Sequence, residues 1–447
     1  MLNPYYLKQN LNFGQLTATQ ILEKLHTLFG CVYLENNRLP CIGLLPLQYC
    51  INSEGKFEVY SRVNCASYTL IDSVQSFEDF VEFNGPEQMN DSEGFNGGYI
   101  GFFDYNYLAN QQINSNVKPQ PNAYLGHYQS YLKLEQGQWY FYSYEAEAEQ
   151  ILAHILSALN FSNPVKFELI SSCTPCWTKQ EYQCAFDQVQ AYIRAGDCYQ
   201  INLTQEFSAQ ANGYLIESAE QFWSLTDAPY SSYLKINEFE ILSCSPELFI
   251  NFEHNKKIVT RPIKGTMPRF EDPKLDDLSK QKLMSSEKDQ AENLMIVDLL
   301  RNDLSVFAQT GSVQTSKLFN IESFNQVHHM VSEISATLKP DVNALQVLLS
   351  ALPGGSITGA PKIRAMQIIE ELEAAQRGAY CGSMGYFNYD GTGSWNILIR
   401  TIQKQEQDIS IWAGGGITIA SNCDAEYQEC FDKVSAMLHL LNSWKKN

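Results

Sequence analysis

From residue 178 to residue 447, apolar strands and amphipathic helices follow one another without strict strand–helix–strand alternation. A doubly wound parallel sheet needs that alternation, so the order points to an α+β sandwich instead. "CYQINLTQEFSA", "FEILSCSPELFINF", "GSMGYFNY", "WNILIRTI" and "DISIWAGGGITI" read as strands rich in buried apolar residues. "TKQEYQCAFDQVQAYIRAG" reads as a helix stopped by Gly196, and "APKIRAMQIIEELEA" as one opened by Pro361. "KQKLMSSEKDQAENLMIVDLLRNDL" and "AEYQECFDKVSAMLHLLNSW" each read as one long helix. Residues 1–170 differ in texture, with short alternating strands such as "KFEVYSRV" and "QWYFYSY" and two helical stretches, "TATQILEKLHTLF" and "AEAEQILAHILSAL". Two regions are therefore expected, 1–170 and 178–447.

Composition narrows the function classes. Of 447 residues, 44% are hydrophobic, enough to bury a large core. Formal net charge is −19, which repels nucleic acid and anionic lipid, although a local basic pocket can still take a small anion. The N-terminal stretch has no apolar run behind a basic cluster, and no segment has the length of a membrane span. Neither a nucleic-acid nor a membrane partner is expected. Twelve scattered cysteines suit a reducing cytoplasm. Cys173 and Cys176 form the sole C-x-x-C; without a second Cys or His pair at ligand spacing, they read as two thiols in a linker.

Several short stretches can carry chemistry. In "RPIKGTMPR", Pro262 and Gly265 frame Lys264, which is either a solvated loop lysine or one held for reaction. "PGGSITGAPK" lacks the lysine of a phosphate loop. It is either a plain turn or a set of backbone N–H groups suited to a carboxylate or phosphate. Asp289 and Glu292 stand three apart on one predicted helix, Glu426 and Glu429 on another, so each pair shares a helical face. Such pairs are commonly solvated, but convergent carboxylates with room for water also suit Mg²⁺. Gly414 to Gly416 allow close backbone approach, and Arg400 ends an apolar strand where a buried cation requires an anion. His329 is an acid–base group or, more commonly, a satisfied core imidazole. No G-x-S-x-G nucleophile elbow occurs.

The order "GDCYQINLTQEF", "SPELF", "RPIKGTMPR", "AENLMIVDLLRNDL", "HHMVSEI", "PGGSITGAPKIRAMQIIEELE", "GSMGYF", "IRT", "AGGGI" and "AEYQECFDK" resembles the chorismate-utilising enzymes over 178–447, and more weakly through "GGYIGFFDY". The resemblance implies a two-lobed sandwich of mostly antiparallel sheets flanked by helices. Water-adding members carry a lysine where this chain has Gln200, and members aminating at C2 usually have alanine in place of Lys264. The lysine marks the branch that aminates chorismate at C4, towards 4-aminobenzoate and folate. There Lys264 is the implied nucleophile, adding to the ring as the C4 oxygen leaves. Glu247 is the implied general acid, and His329 assists orientation or proton movement.

The implied Mg²⁺ ligands are Glu292 and Glu429, with Glu426 acting through water. Asp289 stands where the family usually has glutamate. The ring carboxylate is implied to meet the metal and the turn of Ser356, Thr358, Gly359 and Ala360. The enolpyruvyl carboxylate is implied to meet Tyr380, Arg400 and the backbone at Gly415 and Gly416, with Lys433 close by. Many members hold tryptophan near the N-terminus; "VYLENNRLPCIGLLP" departs from that pattern, and tryptophan binding stays open. No glutaminase cysteine elbow is found, so ammonia is expected free or from a separate glutamine amidotransferase subunit. The alternatives are amination at C2 with pyruvate loss, and a silent chorismate-binding scaffold.

Overall fold

The strands close into two large antiparallel sheets in the computed structural model, which describes residues 5–14, 16–83, 92–160, 166–226, 228–324 and 327–445. The first sheet runs Leu7–Leu11, Gln138–Ser143, Ser130–Glu135, Cys41–Gly43, Val32–Leu34, Tyr230–Ile236, Phe239–Ser245, Thr401–Gln405, Asp408–Ile417, Gln200–Asn212 and Glu168–Leu169. The second runs Ile263–Pro268, Val327–Thr337, Lys257–Thr260, Leu248–Glu253, Gly393–Asn396, Ser383–Asn388, Gly98–Phe103, Pro121–Tyr128, Gln48–Ser53, Lys56–Asn64 and Ser67–Asp72. One apolar cluster draws side chains from both, including Ile42, Phe207, Phe252 and Phe387. Among the described residues no helix is long and apolar enough to cross a membrane.

Both sheets mix early and late strands. Val32–Leu34 pairs with Tyr230–Ile236 in the first, and Gly98–Phe103 with Ser383–Asn388 in the second. Even the cysteine stretch expected as a linker joins in: Thr174–Pro175 pairs with Ser208 and Phe207. All twelve cysteines are free.

Four elements differ from the sequence reading, each breaking where one was expected to run on. "FEILSCSPELFINF" is two strands in different sheets, Phe239–Ser245 and Leu248–Glu253. Pro246, which has no N–H to give a ladder, stands at the crossing. "WNILIRTI" likewise splits into Gly393–Asn396 and Thr401–Gln405, with Arg400 at φ 51°. The two crossings bind each other, Ile397 N donating to Glu247 O at 3.1 Å and Cys244 N to Arg400 O at 3.0 Å. The long acidic helix is two, Pro273–Met284 and Glu287–Ser305, because Ser286 caps the second by accepting from Asp289 N. The last helix divides into Cys423–Asp432 and Ser435–Ser443. The helix stopped by Gly196 ends there as expected, the glycine in left-handed geometry at φ 84°.

Candidate active site

Glu247 and Arg400 owe their positions to the paired crossings, where the backbone leaves one sheet for the other. Glu247 is buried, 6% exposed, and its Oε1 accepts from the Ser356 hydroxyl at 3.3 Å. Ser356 belongs to the tight turn Gly355–Ile357, and its carbonyl accepts from Lys264 Nζ at 3.2 Å. One serine thus spans the amine and the carboxyl. Lys264 lies on Ile263–Pro268, beside a register shift against Val327–Thr337. Gly265, at φ 78°, follows it, and a Cβ there would meet Asp289 Cγ at 2.9 Å. Gly265 thus packs too closely on Asp289 to carry a side chain there.

The amine and the carboxyl perturb each other less than burial perturbs both. Burial pushes the Lys264 ammonium below the usual lysine range, while Glu292 and Glu247 oppose that shift. Burial raises the Glu247 carboxyl to about 7, with Lys264 and the Ser356 hydroxyl opposing. An acid held protonated near neutrality beside an amine pushed towards its neutral form is the pairing that proton transfer and amine attack require.

The Glu247 shift also bears on stability. Its folded value of about 7 stands above its ordinary 4.5, so its contribution is complete below about pH 4.5 and is lost as pH rises through about 7. Glu247→Gln should therefore melt higher than the parent at pH 8, by the equivalent of about 1–3 kcal/mol after Lys264's offset. The gain should vanish at pH 4. Thermal melts at the two pH values check this.

The acidic pairs converge from their two helices. A Cβ on Gly415 would lie 3.1 Å from both Glu426 Oε2 and Glu429 Oε1. Lys288 bridges the helices, 3.9 Å from Glu292 and 4.0 Å from Glu426. Burial raises the Glu292 and Glu426 carboxyls, and Glu429 adds to both shifts. Ser421 donates to Glu426 at 2.7 Å, and Lys433 pairs with Glu429 at 2.6 Å while donating to Gly414 O at 2.8 Å. Among the described residues, no group of three His, Cys, Asp or Glu side chains has metal-holding geometry. The donor chemistry nevertheless fits a hard cation: three carboxylates reach one place from two helices, and Glu429 disfavours the charge of the other two. Asp289 packs beneath Gly265 and raises Glu292 from one side.

Arg400 is partly buried, and among the described residues it has no carboxylate partner. Burial lowers its pKa, so an incoming anion would relieve it. His329 is buried, its Nδ1 2.9 Å from Thr266 Oγ1. Burial, then the Arg400 charge, lowers it to about 4, leaving a neutral imidazole at neutral pH. Tyr380 is buried and stacks on Trp412 at 6.0 Å, one residue before Cys381, whose N donates to Leu398 O. Gly359 and Ala360 pair with Ile201 and Gln200, and a Cβ on Gly416 would meet Gln200 Nε2 at 2.3 Å. Thr358 turns away: fully buried, its hydroxyl donates to Gly354 O at 3.0 Å. Sequence reasoning missed Lys288 and the ion pair Glu373–Arg377; their four-residue spacings, Lys288 to Glu292 and Glu373 to Arg377, were the available signal.

A family model described as chorismate binding enzyme matches residues 33–439, and the chain belongs to that family. Among its relatives, aminodeoxychorismate synthase component 1 of Escherichia coli (strain K12) is 41% identical over 400 residues, 87% of this chain and 86% of the relative. The protein of that name from Salmonella typhimurium is 49% identical over 277 residues, 62% of this chain and 61% of the relative's length. The structure of anthranilate synthase component I from Streptococcus pneumoniae is 27% identical, with a TM-score of 0.77 over 89% of this chain and 91% of that one. The menaquinone-specific isochorismate synthase of Escherichia coli shares the fold, with a TM-score of 0.73 at 17% identity, over 98% of this chain and 94% of that one.

Proposed function

We propose that this chain aminates chorismate at C4, forming 4-amino-4-deoxychorismate, the activity named for its Escherichia coli and Salmonella relatives. The observation that carries the reading is Ser356 joining a desolvated Lys264 amine to a buried Glu247 carboxyl raised to about 7. Neutral Lys264 attacks C2, the ring π electrons shift, and the C4–O bond breaks while Glu247 gives its proton to the departing hydroxyl. Water leaves, Glu247 is a carboxylate, and Lys264 is bonded to C2 as a secondary ammonium. Ammonia then adds at C4, the π electrons return, and the C2–N bond breaks with its electron pair going back to Lys264. The new C4 ammonium returns one proton to Glu247. The balance is chorismate plus ammonia to product plus water.

Arg400, unpaired by any described carboxylate, suits the enolpyruvyl carboxylate, together with the backbone at Gly415 and Gly416. Neutral His329, held by Thr266, orients the ring face near C4. Glu292 and Glu429, with Glu426 through water, would hold Mg²⁺; when bound, it supplies the positive charge that receives the ring carboxylate. Lys433, 2.6 Å from Glu429, would lie close to the metal and the substrate. Ammonia reaches the site from a separate glutamine amidotransferase subunit, a reading supported by the name component 1 of the relatives. Twelve free thiols suit a cytoplasmic setting.

The test is the pure chain with chorismate and Mg²⁺, products separated by chromatography. Ammonium should yield 4-amino-4-deoxychorismate without pyruvate, and glutamine alone should yield none. Pyruvate with anthranilate would establish C2 amination instead. Glutamine-driven product from the pure chain would place an amidotransferase site within it.

A further inference from the structure

Behind the reacting groups lies a buried ion pair that touches none of them. Arg377 is 1% exposed, and its guanidinium donates to Glu373 twice, from Nε at 2.8 Å and Nη2 at 2.7 Å. Two more of its N–H groups go to backbone: Nη1 to Ile357 O at 2.8 Å and Nη2 to Asn202 O at 2.7 Å. Glu373 Oε1 also accepts from Thr204 N at 2.9 Å and Thr204 Oγ1 at 2.7 Å. Asn202 closes the loop, its Nδ2 donating to Ile357 O at 3.0 Å and its N to Thr358 O at 2.8 Å. Tyr105 covers the guanidinium face at 4.6 Å.

We propose that Arg377 and Glu373 form a clasp that positions the Ser356 turn, and through it Lys264 and Glu247, for the reaction. The turn's own backbone bonds are long, Ile357 N to Gly354 O at 3.3 Å and Thr358 N to Gly355 O at 3.4 Å, and only the Thr358 hydroxyl, 3.0 Å from Gly354 O, adds to them from within. Ile357 is the residue after Ser356, so fixing the Ile357 carbonyl fixes the Ser356 carbonyl and hydroxyl that Lys264 and Glu247 use. Only a planar guanidinium reaches a carboxylate and two carbonyls at once; a lysine in its place keeps the charge opposite Glu373 but loses that fork. Arg377 and Glu373 are positioning residues, since neither contacts substrate or reacting atoms.

The functional half of this inference rests on C4 amination, so the test has two arms. Hydrogen–deuterium exchange of Arg377→Lys reads the turn, with segment 354–360 compared against the central strand Phe239–Ser245. The turn should exchange at least tenfold faster than in the parent while the strand is unchanged. Ammonium-driven kinetics read the consequence: kcat should fall at least tenfold, by a larger factor than KM rises. Glu373→Gln, which keeps the shape and the Thr204 contact, should move both readouts in the same direction by less, and it decides the matter if Arg377→Lys does not fold. Parental exchange at 354–360, or a loosened turn with parental kcat, would overturn the clasp. A parent chain unable to aminate chorismate would count against the reaction, and the exchange arm would still judge the clasp.

Discussion

Replacing Lys264 by alanine should remove nearly all amination of chorismate at C4 while leaving chorismate binding in place. The loss should be at least as large as the about 10²–10⁴-fold that a positioned acid–base group supplies, because the variant loses the bond-forming group itself. The amine faces inward and donates to Ser356 O, so truncation leaves the strand pairing of Ile263–Pro268 intact. Lys264→Arg should not rescue, since a guanidinium stays protonated and cannot attack. Intact-mass measurement of the parent, held with chorismate and Mg²⁺ but no ammonia, should find an adduct on Lys264. Near-parental product formation by the alanine variant would rule out covalent catalysis.

Removing one carboxylate from the two-helix cluster should have the next largest effect. Glu292→Gln and Glu429→Gln should each lower Mg²⁺-dependent turnover by more than the about 10–100-fold typical of losing a partner outside the ligand shell. Calorimetric titration with Mg²⁺ should show the matching loss of binding. Glu292 and Glu426 carry raised pKa values that Glu429 worsens, so each neutral amide also relieves repulsion and should not destabilise the fold. Parental Mg²⁺ binding by both variants would remove the metal assignment. Asp289→Asn should matter less, because its carboxyl sits under Gly265, to one side of the other three.

Much of this site was readable in the sequence wherever a function depends on a short, local pattern. The Pro262 and Gly265 frame limits where Lys264 can point, and three-residue acid spacing sets a helical face. What was not readable depends on partners far along the chain. "FEILSCSPELFINF" and "WNILIRTI" each have the periodicity of one strand, and nothing local says that both change sheets. That change places two candidate site residues, since Glu247 and Arg400 stand at the two crossings. The helix breaks at Ser286, a capping residue type inside a stretch whose periodicity reads as one long helix. Arg377 lies just beyond the helix Lys362–Leu372, and its burial depends on Asn202 and Ile357, which lie 175 and 20 residues away.

The mixing of early and late strands makes the reacting groups inseparable from residues that never approach them. A piece beginning at residue 178 would carry Lys264, Glu247, Arg400 and all the clustered acids, yet Tyr230–Ile236 would lose its neighbour Val32–Leu34, and Ser383–Asn388 would lose Gly98–Phe103. Both would become bare edges with unpaired N–H and C=O groups in the middle of what had been continuous sheets, ready to pair with other chains. The chemistry is therefore not a portable module. Recombining it with a different front region would require that region to supply strands of matching length and register to two sheets at once.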